Sequence, residues 1–325
     1  MKTKKLGKSD LNLTRIGLGT WAIGGSGWDY GWGSQDDRES IKTILKALEL
    51  GINWIDTAFA YGFGHAEEVV GKALSEWKGD PIVATKCGLL NAGDGHVRTS
   101  LKRESILEEV EGSLKRLQRD VIDIYQIHWP SPANEIEEAF ETLIDLKKAG
   151  KIRCASVSNF SVKQMKAVSK YGEITSLQPP YSMLDKRVED DILPYCLENE
   201  IGVISYSPMQ SGVLTDKISR SWVENLAEDD WRKEKLEYLQ EPLLTPTLTL
   251  IDKLKAFSAT NEIKLSGLAI SWVLSHKAVT SAIVGARKEQ QIEETIKASA
   301  IELTKEQLDQ IDNYFAEYKA ELKNI

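Results

Sequence analysis

The chain has 325 residues, 42% hydrophobic and 28% charged, and 41 basic against 49 acidic side chains give a net charge of −8. That profile belongs to a soluble globular chain long enough to bury a large core without disulfide staples, which excludes disorder and a membrane-embedded chain. The acidic balance argues against nucleic acid, which wants a basic stripe, and against an anionic membrane surface. In chain order, residues 3–6 and 11–14 flank a Gly-Lys-Ser-Asp turn and predict a hairpin. Residues 16–19 are a short apolar run. Ile41, Ile44, Leu45 and Leu48 follow at helical spacing, with Gly51 placed to end the helix. Residues 52–55 read as a strand, and Val69, Val70, Ala73, Leu74 and Trp77 as a helix face. Residues 81–85 are a strand, Ile106, Val110, Leu114 and Leu117 a helix, and 121–127 a strand. Ile136, Phe140, Leu143 and Leu146 mark a helix ending at Gly150.

The second half keeps the rhythm. Residues 154–157 are a strand, and Ser161 and Gln164 have capping-box spacing ahead of a short helix. Residues 174–177 are a strand, and Ile192, Cys196 and Leu197 line a helix closed by Gly202. After strand 203–205 comes a long polar segment, then helix patterns at Leu250, Leu254, Phe257 and at Leu268, Trp272, Val273. Residues 282–284 are the last strand. Two helices close the chain, with Thr304 and Gln307 again at capping-box spacing. Eight strand–helix units imply parallel pairing. The first strand ends Gly-Leu-Gly-Thr-Trp rather than in a GxGxxG phosphate turn, so the expected fold is a closed (β/α)8 barrel spanning residues 1–325 as one domain.

Cys87, Cys154 and Cys196 are widely spaced with no CxxC, so neither a zinc ribbon nor a dithiol centre is expected, and a reducing cytoplasm is the expected compartment. The first residues, MKTKKLGKSDLNL, have no apolar run of signal-peptide length, and no stretch approaches the ~18 apolar residues of a membrane span.

In such a barrel the chemistry sits at the C-terminal ends of the strands. Read there, the sequence gives Gly19-Thr20-Trp21, Asp56, Lys86, His128, Ser158-Asn159, Gln178, Tyr206-Ser207 and Gly285-Ala286-Arg287. Asp56 and Lys86 end buried strands, where each is costly to bury alone and the two can pair. Tyr61 lies five positions beyond Asp56. A cation beside it should lower the phenol from its ordinary value of about 10 and make it a general acid near neutrality. His128 can point a ring nitrogen at the same position. An Asp–Lys pair by itself reads first as a structural salt bridge, a lone His as structural, and Tyr61 as a loop aromatic. Four such groups together have no single structural explanation. The four histidines show neither HxH nor HExxH spacing, so no metal site is expected. Facing carboxylates for glycoside hydrolysis and a GxSxG serine are not evident either.

The runs GINWIDTAFAYG (51–62), EEVVGKAL (67–74), SLKRL (113–117), DIYQIH (123–128), VSNF (157–160), QPPY (178–181) and VGAR (284–287) together resemble the aldo-keto reductase family. The YSPMQSGVL stretch (206–214) is similar to its bacterial general-stress and potassium-channel β-subunit-like branches. The resemblance implies a catalytic tetrad of Asp56, Tyr61, Lys86 and His128, and a nicotinamide cofactor across the barrel mouth. Gly19, Thr20, Trp21 and Asp56 would border it. Ser158, Asn159 and Gln178 would hold the carboxamide, and Tyr206 would stack on the nicotinamide. Ser207, Pro208, Met209, Gln210, Ser211, Gly212, Leu214 and Lys217 would wrap the pyrophosphate through close backbone N–H groups. Gly285, Ala286, Arg287, Gln291 and Glu294 would take the adenosine end. Thr295 stands where the family often has Asn, which weakens the expected adenine contact.

Arg287 and Lys288 suit a 2′-phosphate dianion, so NADP(H) is the expected cofactor. Trp21, Trp32, Tyr61, His128 and Trp129 are the expected substrate contacts, with Trp28, Tyr30, Phe59 and Phe63 nearby. The acidic segment 216–246, with Trp222, Trp231 and Tyr238, reads either as a helical lid over the pyrophosphate or as a segment disordered in the absence of cofactor. The implied activity is reduction of aldehyde or ketone carbonyls by hydride transfer with Tyr61 as acid, on a small-molecule substrate and with no nucleic-acid or membrane partner. The alternatives are a sugar dehydrogenase using NAD(P) and a cofactor-binding interaction subunit with little turnover.

Overall fold

Residues 16–19 are apolar on both sides because they form one stave of a closed parallel barrel. The computed structural model describes residues 1–323. Its strands are β1 (Thr3–Lys5), β2 (Asn12–Thr14), β3 (Ile16–Gly19), β4 (Trp54–Asp56), β5 (Ile82–Cys87), β6 (Leu89–Gly93), β7 (His96–Thr99), β8 (Ile122–Ile127), β9 (Ile152–Ser158), β10 (Ser176–Gln178), β11 (Gly202–Ser205) and β12 (Val279–Gly285). The barrel runs β3-β4-β5-β8-β9-β10-β11-β12 and closes back onto β3, all parallel. Around it lie α1 (Asp37–Glu49), α2 (His65–Glu76), α3 (Arg103–Leu117), α4 (Ile136–Lys148), α5 (Val162–Val168), α6 (Ile192–Glu198), α7 (Arg220–Glu224), α8 (Arg232–Lys235), α9 (Leu244–Thr260), α10 (Leu265–Ser275), α11 (Glu289–Thr295) and α12 (Lys305–Leu322). The (β/α)8 barrel, the N-terminal hairpin and the two C-terminal helices are those the sequence predicts. Both capping boxes form, at Ser161–Gln164 and Thr304–Gln307.

Register carries the polar strand ends to one rim. Gly19 pairs with Asp56, Lys86 with Gln126, Ser158 with Gln178, and Gly285 with Gly19. The opposite rim is sealed by the β1–β2 hairpin, whose Leu6, Leu11 and Leu13 pack with Trp54, Ala84, Ile124, Cys154, Ile204 and Ile283. Trp54 is fully buried, and its indole N–H donates to Ser281 Oγ (3.1 Å) and Thr14 O (3.3 Å). A Cβ on Gly17 would lie 2.0 Å from the Trp54 ring. Gly17→Ala is therefore expected to cost ~1–3 kcal/mol by overpacking, read as a lower urea midpoint at unchanged slope; an unchanged midpoint would show that the ring can yield.

Gly202 does not close α6. Glu200 takes the left-handed turn (φ 56°), while Gly202 opens β11 where a Cβ would meet Leu6 Cδ1 at 2.5 Å. The sequence reading also missed the antiparallel β6–β7 hairpin. Asp29 of the loop after β3 holds it, accepting from the Val97 N–H at 2.9 Å and lying 3.0 Å from His96 Nδ1. Segment 216–246 is built from short helices, including α7 and α8, and docks on that same loop. Trp231 N–H donates to Gly31 O (3.1 Å), and Trp32 pairs with Asp230 in an isolated antiparallel bridge. Among the described residues, no helix is long and apolar enough to cross a membrane.

Candidate active site

Asp56 ends β4 and Lys86 lies near the end of β5, on neighbouring strands. The Lys86 and Asp56 side chains are 0% and 3% exposed. Lys86 Nζ uses all three donors, to Asp56 Oδ2 (2.8 Å), Thr57 O (2.9 Å) and the Tyr61 hydroxyl (3.1 Å). It also lies 4.9 Å from the Tyr61 ring centroid. His128 follows β8 and meets Tyr61 edge-on, with ring centroids 5.9 Å apart at 82°. Burial, then the Lys86 charge, holds the His128 imidazole well below its ordinary value, so it is neutral. Burial lowers Lys86, opposed by Asp56.

The phenol departs from the sequence-based expectation. Burial, reinforced by the Asp56 charge, pushes Tyr61 well above 10 rather than below it. Lys86 touches the hydroxyl, but Asp56 matches its charge, and desolvation of the phenolate dominates. The array thus offers a phenol that keeps its proton, a cation fixed behind it, and a neutral imidazole beside it.

The strand ends further round the barrel are stitched together. Gln178 Nε2 donates to Asp56 Oδ1 (2.7 Å). Asn159, in the left-handed region that Asn tolerates (φ 62°), donates to His128 O and Ser158 Oγ, both at 3.0 Å. Its Oδ1 accepts from the Tyr206 hydroxyl (2.8 Å), and Ser158 Oγ donates to Gln178 O (2.8 Å). Asn159 Oδ1 keeps a lone pair and Gln178 Oε1 accepts no hydrogen bond among the described residues, so both can receive an amide N–H. Thr20 is fully buried and bonds Asp56 O from its N–H and hydroxyl, both at 3.0 Å; it positions Asp56 rather than facing the mouth.

At 206–214 the expected backbone cradle is partly spent inside its own turn. The N–H groups of Gln210, Gly212 and Leu214 donate to Ser207 O, Met209 O and Met209 O. Leu214 points into the core, and Lys217 is exposed where segment 216–246 begins. The hydroxyls of Ser207 and Ser211 and the N–H groups of Ser207, Met209 and Ser211 make no hydrogen bond among the described residues, so they are the donors this turn offers an anion. Gln210 Oε1 accepts from Ser182 Oγ (2.7 Å). Gln291 Oε1 accepts from the N–H of Arg287 (2.7 Å) and of Lys288 (3.2 Å), and exposed Glu294 pairs with Lys264 (3.2 Å). Thr295 is buried, and its hydroxyl bonds Gln291 O within α11 at 2.9 Å.

The mouth is aromatic. Trp21 stacks on Tyr61 (6.4 Å, 18°), and Trp28 tilts against Tyr61 and meets Phe63 edge-on. Trp32 does not reach Tyr61. It packs on Trp21 (5.7 Å) and Trp231 (6.1 Å), a buttress rather than a wall. Trp129 stands 46% exposed at the rim. Sequence reasoning placed Trp231 in the lid segment but missed that it stacks on Trp21 (5.2 Å, 20°), and it missed Arg232 altogether. The Arg232 guanidinium lies over Trp32 (4.3 Å) and Trp222 (5.0 Å), pairs with Asp230, and donates to Ser211 O (3.1 Å). The only signal was the unusual length of this segment. Two surface cavities of about 390 and 280 Å³ lie elsewhere, beside α2 and α3 and under the β6–β7 hairpin. Among the described residues, no group of three or more His, Cys, Asp or Glu is placed to hold a metal.

Residues 15–315 match the family described as Aldo/keto reductase family, and the chain belongs to it. It is similar to Aldo-keto reductase YhdN of Bacillus subtilis (strain 168), 39% identical over 295 residues, covering 90% of this chain and 87% of that protein. It is also similar to the NADH-specific methylglyoxal reductase of Escherichia coli (strain K12), 37% identical over 318 residues, covering 94% and 95%. Among solved structures, the glycerol dehydrogenase AKR11B4 from Gluconobacter oxydans superposes with TM-score 0.88 at 36% identity, covering 97% and 95%. The chain is an oxidoreductase of the aldo-keto reductase type, a family that works with a nicotinamide cofactor.

Proposed function

We propose that this enzyme reduces aldehyde or ketone carbonyls with NADPH, and that Tyr61 donates the proton. The carrying observation is the buried Asp56–Lys86–Tyr61 array with neutral His128 set edge-on. A phenol raised by burial stays protonated at neutral pH, the state a donor to a developing alkoxide needs. Lys86 places positive charge where negative charge develops on the oxygen, and Asp56 and Thr57 fix its position. His128 orients the carbonyl through a ring nitrogen, and Trp21, Trp28, Phe63 and Trp129 give the substrate an apolar wall.

A bound nicotinamide supplies the hydride. Gln178 and Asn159 would hold its carboxamide through the two spare acceptors, and Tyr206 would lie against its ring. Ser207, Ser211 and Lys217 would meet the phosphates, and Arg287, Lys288, Gln291 and Glu294 the adenosine end. An NADH reading competes on one observation, that the Arg287 guanidinium already donates to three protein acceptors. The relative named NADH-specific supports it.

Tryptophan fluorescence titration with NADPH and NADH decides between them. Tighter NADPH binding, by about tenfold (~1.4 kcal/mol), is expected. Equal or reversed affinities overturn the 2′-phosphate reading. No response to either dinucleotide overturns the cofactor site. A carbonyl panel run with the preferred dinucleotide then tests reduction.

A further inference from the structure

We propose that Arg287 is a shared anchor, in which the guanidinium assigned to the cofactor 2′-phosphate also pins the loop that closes the substrate mouth, so that the two uses compete. The proposal rests on the cofactor reading above. Arg287 follows β12. Its Nε donates to Gln35 Oε1 (2.6 Å), Nη1 to Trp32 O (3.0 Å) and Nη2 to Ser34 O. Gln35 Nε2 returns a bond to Arg287 O (3.1 Å) and another to Ser40 Oγ (3.1 Å). One side chain thus fastens three of four consecutive residues, 32 to 35, across 252 to 255 positions of sequence.

Every acceptor on this guanidinium is neutral. Among the described residues no carboxylate lies within ion-pair distance of it, and the nearby Asp230 is taken up by Arg232. A half-buried fork bonded only to neutral oxygens is readily recruited by a dianion, because the dianion adds an ion pair and bidentate geometry that neutral acceptors do not give. Three of the five N–H donors are committed to the loop, so a phosphate gripped through the Nε edge must take at least the Gln35 bond from it.

The loosened loop bears on the chemistry through direct contacts. Trp32 packs on Trp21 and Trp231, and Trp21 stacks on Tyr61. A substrate that needs this loop closed must then lower the affinity for NADPH relative to NADH, since coupling between two sites is reciprocal. Arg287 is accordingly a positioning residue for the mouth as well as a cofactor ligand.

The test separates these roles. Amide hydrogen exchange is measured over residues 26–35 with saturating NADP+ and, separately, NAD+. Exchange is expected to be about 5-fold or more faster with NADP+. Arg287→Lys keeps the charge but loses the planar fork that spaces the bonds to residues 32, 34 and 35. With NADH as the cofactor, its KM for a carbonyl substrate is expected to rise about 5-fold while kcat holds. Gln35→Ala, which removes one acceptor, is expected to tighten NADPH binding and leave the NADH dissociation constant alone. Equal exchange with both dinucleotides, or an unchanged NADH-supported KM in Arg287→Lys, overturns the proposal while the cofactor reading stands. Failure of either dinucleotide to bind the wild type removes both.

Discussion

Tyr61→Phe is expected to lower carbonyl reduction ~10²–10⁴-fold, the range general acid catalysis supplies, while dinucleotide binding persists. The substitution deletes one hydroxyl and keeps the ring, and the ring carries the packing against Trp21, Trp28 and His128 and the contact with Lys86. One of the three Lys86 donors loses its acceptor, a cost of about 1–3 kcal/mol that the fold can absorb. The measurement is kcat for reduction beside a fluorescence titration on the same sample. Full activity would remove Tyr61 from the chemistry; loss of cofactor binding would mean that the hydroxyl holds the site together.

The pH dependence follows from the direction of the phenol shift. Because burial and Asp56 raise Tyr61, the proton it donates is present throughout the neutral range. Reduction should therefore be flat from about pH 6 to pH 9. Alcohol oxidation needs the phenolate first, so it should climb across that range without reaching a plateau. His128, held low and already neutral, adds no inflection there. A fall in reduction through pH 7 would show that another group delivers the proton.

The barrel was legible because parallel strands buried on both faces read as short apolar runs, punctuated by residues whose chemistry is local. Gly51 (φ 90°) and Gly150 (φ 75°) end their helices as the pattern demands. That Asp56, Lys86 and His128 gather at one rim was legible for a related reason, since a polar residue at the end of a buried strand stands there. What stayed hidden depends on contacts distant in sequence. The β6–β7 hairpin is short and largely exposed, so its residues show little apolar alternation, and its register is set by Asp29, 67 and 68 residues away. Trp32 looked like a pocket wall until the partners Trp231 and Arg232 were placed. The sign of the Tyr61 shift was misread because a neighbouring cation can be guessed from sequence, whereas the depth of burial is a property of the assembled mouth.

The second large effect is expected behind the barrel wall, at Arg116. Its Nε donates to Glu67 Oε2 (2.7 Å), and Glu67 Oε1 accepts from Thr85 Oγ1 (2.6 Å), one residue before Lys86. The Glu67 side chain is fully buried. The guanidinium also covers the Phe59 ring (4.8 Å), so the pair fastens the Tyr61 loop to the strand that carries Lys86. Arg116→Met strands a buried carboxylate, and ~3–5 kcal/mol of stability should be lost. An ionised carboxylate buried without its cation is what the fold resists.

Glu109 already shows that resistance in the wild type. Burial, aided by the Glu67 charge, pushes it up to about 8 against hydrogen bonds from Gly88 and Ser105. A folded-state value above the unfolded one means a contribution fully present below about pH 4.5 and lost as pH rises through about 8, on the order of a few kcal/mol. Glu109→Gln can still accept the Gly88 N–H but has no proton to lose, so it should flatten that slope. Urea unfolding of the three proteins at about pH 5, 7 and 9 reads both effects through the midpoints. The wild type should weaken toward pH 9, Glu109→Gln should not, and Arg116→Met should have a lower midpoint than the wild type at each pH. Parallel curves for the wild type and Glu109→Gln would mean that Glu109 does not titrate within the fold, and an unchanged midpoint in Arg116→Met would mean that the clamp behind Lys86 is held by packing alone.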